Sequence, residues 1–252
     1  MSPSVATARD RVAVWISGAS SGIGAALAGS VPFPGTRLFG ISRRPPGAGE
    51  HVQADLSQPA VWPTVAAHFE EVLSRRQATR AVFLHMSGIG TPAGPVTDAD
   101  PEAYTEAVLL NSASGQVLGQ AFLTACRRSD TPATLVLCSS PAAAKTVPGI
   151  SHYGAGKAAL QFWAAAVATE VGSWAQVFSV VPFAVDTPMV RETISQPGLT
   201  PVAAHLRAAA DRGGLASADT AAAQIWQLVL DGTHGEAVPV GAVPNIAQEV
   251  IQ

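Results

Sequence analysis

Charge is the scarcest commodity in this chain. Only 13% of its 252 residues are Asp, Glu, Lys or Arg, about half the usual share. Eighteen acidic against fifteen basic groups leave a net charge of −3. No basic block or stripe exists for a nucleic acid to bind, so no nucleic-acid partner is expected. Burial of surface between subunits and a bias towards Ala and Gly account equally well for the low charge. Cysteine is rare too. Cys126 and Cys138 are the only two, without metal-type spacing. No disulfide framework and no metal site are implied, and a reducing cytosol suits the composition. Long apolar runs are missing as well. Val12–Ile16 is too short for a signal core and far too short to span a bilayer. A cytoplasmic protein without a membrane partner is the expectation.

What is present is apolar: 48% of residues are hydrophobic, enough to bury a large core in one domain spanning 1–252. Short β-branched runs alternate with longer helical patterns, as in an α/β Rossmann-type fold. This predicts a doubly wound parallel sheet of about seven strands with helices on both faces. The strands are expected at Arg11–Ser17, Thr36–Ser42, His51–Ala54, Ala81–Met86, Thr134–Ser139, Gln176–Val181 and Ala237–Val240. Helices are expected to begin near Ser21, Pro59, Pro101, Ser151 and Ser217, the first cut short by Pro32 and Pro34. From Asp186 to Gly214 the rhythm breaks, with Pro188, Pro197, Gly198 and Pro201 interrupting weakly amphipathic pieces. An insertion after the sixth strand overhangs the ligand crevice of such a sheet. It reads as a substrate lid at about 187–214, or as a plain surface loop.

Two local patterns carry chemistry. Ser17-Gly18-Ala19-Ser20-Ser21-Gly22-Ile23-Gly24 follows the first apolar run. Gly18 permits a tight turn, Gly22 lets a pyrophosphate approach the backbone, and Gly24 lets helix and strand pack closely. Ser20, Ser21 and Ile23 belong to the same turn. The second pattern is Tyr153-Gly154-Ala155-Gly156-Lys157, with Ser140 thirteen residues earlier. Residues i and i+4 share a helix face, so a phenol and an ammonium stand together and a strand-end hydroxyl joins them. Ser139 and Ser140 point to opposite faces of a strand, so only one can serve. Lowering a phenol by about 3 units needs roughly 4 kcal/mol. One cation at about 4 Å supplies that order of energy at an effective dielectric near 20.

These motifs, in this order and with Asn111, resemble the short-chain dehydrogenase/reductase family over about Arg11–Thr187. The resemblance implies that Tyr153 is the general acid/base and Ser140 positions the substrate oxygen. It implies that Lys157 lowers the phenol's pKa and holds the nicotinamide ribose, while Asn111 anchors a water relay. Asp55-Leu56 matches the adenine pocket. Ser87-Gly88 lies beside the cofactor and substrate. In Pro182-Phe183-Ala184-Val185-Asp186-Thr187, the Val185 backbone and Thr187 hydroxyl match the contacts to carboxamide and phosphates.

Cofactor choice turns on the end of the second strand, where a carboxylate selects NAD and an arginine accommodates the 2′-phosphate of NADP. Here Ser42 is followed by Arg43 and Arg44, so NADP(H) is expected over NAD(H). Two departures from the family stand out: His85-Met86-Ser87-Gly88 replaces Asn-Asn-Ala-Gly, and Phe183 replaces a glycine. Met86 cannot make an amide's hydrogen bonds, so that strand end needs another brace.

Met189, Val190, Ile194, Leu199 and Leu206 make the insertion apolar, which favours a hydrophobic ketone, diketone or alcohol. Gly235–Gly241 looks like the sepiapterin- and benzil-reductase branch. The reading is an NADP(H)-dependent carbonyl reductase/alcohol dehydrogenase; a non-catalytic dinucleotide sensor and a lyase or dehalogenase on the same scaffold are the alternatives. Leu160, Phe162, Trp163, Val167 and Val171 wrap more than one stripe of the tyrosine helix. With relatives pairing through that helix, a homodimer or homotetramer is expected.

Overall fold

The computed structural model describes residues 11–195 and 201–242. Seven parallel strands form one sheet: β1 (Val12–Ser17), β2 (Arg37–Ser42), β3 (Glu50–Gln53), β4 (Arg80–His85), β5 (Ala133–Cys138), β6 (Ala175–Phe183) and β7 (Ala237–Gly241). Their order is β3-β2-β1-β4-β5-β6-β7. The direction of winding reverses between β1 and β4, which opens a crevice beyond their carboxyl ends. Each expected strand is found, its ends within one or two residues.

Burial explains which strands sit where. Every residue of β1 is buried, because a central parallel strand has helices on both sides. Its alternation feeds two cores. Ala13 and Trp15 enter one, with Phe39, Phe69, Phe83, Phe122 and Leu160; Val14 and Ile16 enter the other, with Leu27, Leu84, Phe178 and Trp226. Trp15 stacks on Phe39 at 5.1 Å and meets Phe69 and Phe122 edge-on at 5.3 and 5.9 Å, arrangements that add to plain area burial. The sheet's edges differ in kind. β3 exposes Glu50, His51 and Gln53, and β7 carries Pro239, both of which discourage further pairing.

The helices are α1 (Gly22–Gly29), α2 (Trp62–Ser74), α3 (Pro101–Val108), α4 (Ser114–Ser129), α5 (Ser151–Val171), α6 (Pro188–Ser195), α7 (Pro201–Asp211) and α8 (Ala218–Asp231). α1 is short, as its prolines require. The helix begun at Pro101 is capped by Asp100, whose carboxylate accepts from Ala103 N–H at 2.9 Å. It passes through a π turn at Leu109–Ala113 and continues as α4. The described parts of the stretch after β6 form two helices. Pro188 and Pro201 are the first residues of α6 and α7, where a missing N–H costs nothing. The Arg207 guanidinium donates to the Ile194 carbonyl and ties the two helices together. Leu199, Pro197 and Gly198 lie outside the described residues. No helix among the described residues is long and apolar enough to cross a membrane.

Candidate active site

The carboxyl ends of β1, β4, β5 and β6 meet the start of α5. Lys157 is 2% exposed, and its Nζ donates to the Cys138 carbonyl at 2.9 Å. It stands 5.6 Å from the centre of the Tyr153 ring. Ser139 is turned away into α5, donating to the Lys157 carbonyl at 3.2 Å and to Gln161 at 3.0 Å. Ser140 faces the phenol, and its Oγ accepts from Ala142 N–H at 3.2 Å.

Asn111 sits fully buried in the π turn. Its amide makes a two-way clamp, accepting from Ile89 N–H and donating to the Ile89 carbonyl, both at 2.9 Å. Two glycines let these parts touch. A Cβ on Gly88 would lie 3.1 Å from both Asn111 Oδ1 and Lys157 Nζ, and one on Gly156 would lie 3.0 Å from Asn111 Cβ. Gly88 therefore belongs to the tyrosine–lysine cluster as much as to any cofactor surface. Gly156 was not singled out by its sequence; a small residue between Tyr153 and Lys157 was the only signal it gave.

The electrostatics run against one expectation. Burial pushes the Tyr153 phenol up to about 12, Cys138 adds to the rise, and only the Ser140 hydroxyl opposes it. The phenol was expected to be lowered by Lys157. The ammonium instead lies over the ring face and spends a proton on the Cys138 carbonyl, while burial lowers its own pKa. Burial also raises the Cys138 thiol, which keeps it protonated and a poor nucleophile.

The departure at His85–Met86 has a structural answer. Ser17 Oγ accepts from Met86 N–H at 3.1 Å and Ser87 N–H at 3.2 Å, bracing the strand end in place of an amide. His85 lies beside it, fully buried, with Nδ1 3.1 Å from Ser17 Oγ and Nε2 3.3 Å from Ser114 Oγ. Burial and the neighbouring Lys157 drive the imidazole down to about 3, so it is neutral. Neither Ser17 nor Ser114 was legible as part of the site, because their partners come from other strands and helices.

The glycine turn suits a dinucleotide. Gly18 and Gly22 adopt φ of +69° and +54°, which glycine alone takes without penalty. A Cβ on Gly24 would fall 2.3 Å from the Gly18 carbonyl, so the turn closes only with glycine there. Ser21 precedes α1 without capping it, and the first turn carries no acidic side chain. The free N–H groups of Gly22, Ile23 and their neighbours with the positive helix end form an anion cradle. Thr187 closes over it, its Cγ2 3.4 Å from where a Gly22 Cβ would stand. The Thr187 hydroxyl also accepts from Val190 N–H at 3.3 Å, capping α6.

At the far end of the crevice, Arg43 and Arg44 are exposed beyond the buried Ser42. Arg43 lies 3.9 Å from Asp55, with the two side chains 71% and 38% exposed, so the pair is weak and screened. Asp55 Oδ1 accepts from the Ser57 N–H and hydroxyl at 3.1 and 2.8 Å. Leu56, next to Asp55, is buried in the core, and its carbonyl accepts from Trp62 Nε1 at 3.0 Å.

Beyond Phe183 the chain turns through Ala184 at φ +44°, a left-handed conformation unusual for a residue with a Cβ. Ala216 N–H donates to the Ala184 carbonyl at 2.9 Å, Asp186 N–H to the Ala216 carbonyl at 2.8 Å, and Ala242 N–H to the Phe183 carbonyl at 3.0 Å. This clamp fixes the backbone of Val185, whose side chain is buried. Arg191 grips Asp186 through two bonds of 2.7 Å at the base of α6. A Cβ on Gly90 would lie 4.0 Å from Met189 Cγ of α6, so α6 stands near the Ser87–Gly90 turn. On α5, Leu160 and Val171 are buried, Trp163 and Val167 pack partly on the core, and only Phe162, 80% exposed, points outward. The expected double stripe thus shrinks to one aromatic residue. Among the described residues no cluster of three His, Cys, Asp or Glu side chains could hold a metal ion.

The same layout recurs in solved structures. The ligand-free aldohexose dehydrogenase of Thermoplasma acidophilum superposes with a TM-score of 0.76 at 19% identity, covering 92% of this chain and 93% of that one. Levodione reductase gives 0.75 at 20% identity, covering 92% and 96%. A 4-hydroxyisoleucine dehydrogenase complexed with NADH gives 0.75 at 18%, covering 90% and 96%. At such identities the likeness is one of fold. No curated protein sequence matches the chain. The profile of the short chain dehydrogenases, however, matches residues 12–198. With a profile match across most of its length and a sheet, glycine turn and tyrosine helix arranged accordingly, the chain belongs to the short-chain dehydrogenase family of nicotinamide-dependent oxidoreductases.

Proposed function

We propose that the protein is an NADP(H)-dependent carbonyl reductase/alcohol dehydrogenase that interconverts a hydrophobic ketone or diketone with its alcohol. One observation carries the reading: the half-buried Tyr153 stands with the buried Ser140, Lys157 and Asn111 clamp beyond the carboxyl ends of β4 and β5. A nicotinamide held in the crevice would supply or accept the hydride at the reacting carbon. The chain's own residues manage the oxygen. Ser140 donates to the carbonyl oxygen and orients it. The Tyr153 phenol, kept protonated at neutral pH by burial, delivers the proton as negative charge develops there. Lys157, its ammonium 5.6 Å from the centre of the Tyr153 ring, would hold the nicotinamide ribose. Asn111 holds the Ser87–Ile89 turn and the lysine in register.

The cofactor preference rests on the second strand. Ser42 offers no carboxylate to repel a 2′-phosphate, and its hydroxyl is bound to the Arg44 carbonyl at 2.6 Å. Arg43 and Arg44 are free to turn towards that phosphate. Gly18, Ser20, Ser21, Gly22, Ile23 and Gly24 would hold the pyrophosphate, Asp55 would face the adenine, and Ser87, Gly88, Val185 and Thr187 would line the nicotinamide side. The α6–α7 pair, with Met189 near the Gly90 loop, would serve as the substrate lid of a single domain and favour an apolar substrate, as in the sepiapterin- and benzil-reductase branch. A homodimer or homotetramer in the cytoplasm fits the exposed Phe162 and the low charge.

The test is Tyr153→Phe with a panel of ketones and diketones. Turnover should fall by about 10²- to 10⁴-fold, while the NADPH affinity read by fluorescence titration stays within about twofold. Turnover retained in that variant removes the acid/base assignment. Tighter binding of NADH than NADPH removes the cofactor assignment alone.

A further inference from the structure

We infer that His85 is a positioning residue: a neutral imidazole locked as the Nε2–H tautomer that braces the Asn111 π turn against the ends of β1 and β4. The inference rests on the reading of the site above for its kinetic consequence, but its structural part stands alone.

The hydrogens can be placed by counting. A serine hydroxyl has one proton and two acceptor sites. Ser17 Oγ uses both acceptor sites on the N–H groups of Met86 and Ser87, at 3.1 and 3.2 Å. Its one proton must therefore go to His85 Nδ1, 3.1 Å away. Nδ1 is the bare nitrogen, and a neutral ring then carries its proton on Nε2. That N–H faces Ser114 Oγ at 3.3 Å, and the Ser114 hydroxyl donates onward to the Leu110 carbonyl at 2.8 Å. The chain of donors runs in one direction, from the backbone after β4 through Ser17, His85 and Ser114 to the residue before Asn111.

A second feature points the same way. A Cβ on Gly115 would lie 3.0 Å from His85 Cδ2 and 2.7 Å from Leu160 Cδ2. α4 keeps a glycine where the imidazole edge needs the space. The brace acts where the helix is weakest. Within the π turn the backbone ladder is widened, and the Ser114 bond to Leu110 gives one of its carbonyls a partner. Asn111 is thus held from two sides, by His85 through Ser114 and by Ile89 through its own amide. Charging the ring would force a donor onto Ser17, whose acceptor sites are full, and would set a second cation near Lys157. His85 does not donate protons in the reaction; it keeps Asn111 and the Gly88 turn in place.

The experiment is a long-range proton–nitrogen NMR spectrum of protein labelled with 15N-histidine, with His85→Ala to assign the signal among the six histidines. The His85 imidazole should show an unprotonated Nδ1 and a protonated Nε2 and should not titrate between about pH 8 and pH 5. An Nδ1–H form, or titration near the ordinary value, overturns the inference. In turnover, His85→Ala should lose about 10- to 100-fold in kcat with NADPH affinity nearly unchanged. His85→Asn, which keeps a donor and an acceptor, should recover part of the loss, and His85→Leu none. Unchanged kcat in folded His85→Ala also overturns it. Should that variant fail to fold, Ser114→Ala must shift the His85 Nε2 signal and lower kcat several-fold. The spectrum is independent of the enzymatic reading, so a fully active Tyr153→Phe would sink that reading and leave the tautomer result standing.

Discussion

The tyrosine–lysine end of the crevice and the arginine end are built by different rules. At the first, Lys157, Asn111 and His85 are buried, the polar ends of these three side chains have protein partners, and glycines allow close contact. At the second, Arg43 and Arg44 are solvent-exposed side chains on a loop, loosely tied to a half-exposed Asp55. Geometry at the buried end is held to tenths of an ångström and changes there should be all or nothing. Affinity at the exposed end comes from screened charge and should change by degrees.

Gly156→Ala attacks the contrast hardest. Its new methyl would press on the Asn111 backbone at about 3 Å, and overpacking of this kind costs typically about 1–3 kcal/mol. The melting temperature should drop by several degrees and turnover by more than tenfold, since Asn111 must move. A variant with full activity and unchanged melting would mean that α5 is not seated on the π turn as described.

Acid sharpens the comparison next. The His85 value lies far below its ordinary 6.5, at about 3, and burial also lowers His68, whose Nδ1 accepts from Trp15 Nε1 at 3.1 Å. Both groups bind protons more readily in the unfolded chain. Their contribution to stability is therefore complete above about pH 6.5 and is lost as pH falls towards 3. Urea midpoints should decline through that window, and the slope should be shallower in His85→Asn. A flat profile would show that neither imidazole is buried in its neutral form.

The arginine end should respond least. Arg43→Glu with Arg44→Glu should weaken NADPH by about tenfold, the scale of one charge-assisted hydrogen bond, and leave NADH within about twofold. The discrimination between the two should shrink as salt is raised. Equal losses for both cofactors would place the arginines away from the 2′-phosphate.

How much of this was readable beforehand follows the same division. The strands stand out because central parallel strands are unbroken apolar runs, as in Val12–Ser17. The Tyr153–Lys157 pairing is legible because helical spacing alone puts two side chains on one face. The π turn left no trace in composition, since an extra residue in a helix changes geometry without changing residue type. α6 and α7 were obscured by Pro188 and Pro201, which look like interruptions but serve as first residues of helices. The upward shift of Tyr153 was hidden for another reason: desolvation depends on everything that surrounds the phenol, while the sequence pairs it only with Lys157. His85 looked like a defect in a familiar pattern until Ser17 and Ser114, brought from β1 and α4, supplied its partners.

Left-handed backbone at Ala184 places local strain at the start of the α6–α7 segment. A residue with a methyl group would relax by about 1 kcal/mol or more in almost any other torsion, and the bond from Ala216 to its carbonyl is what restrains it. The entry to α6 is thus held by main-chain contacts against the torsion that Ala184 would otherwise prefer.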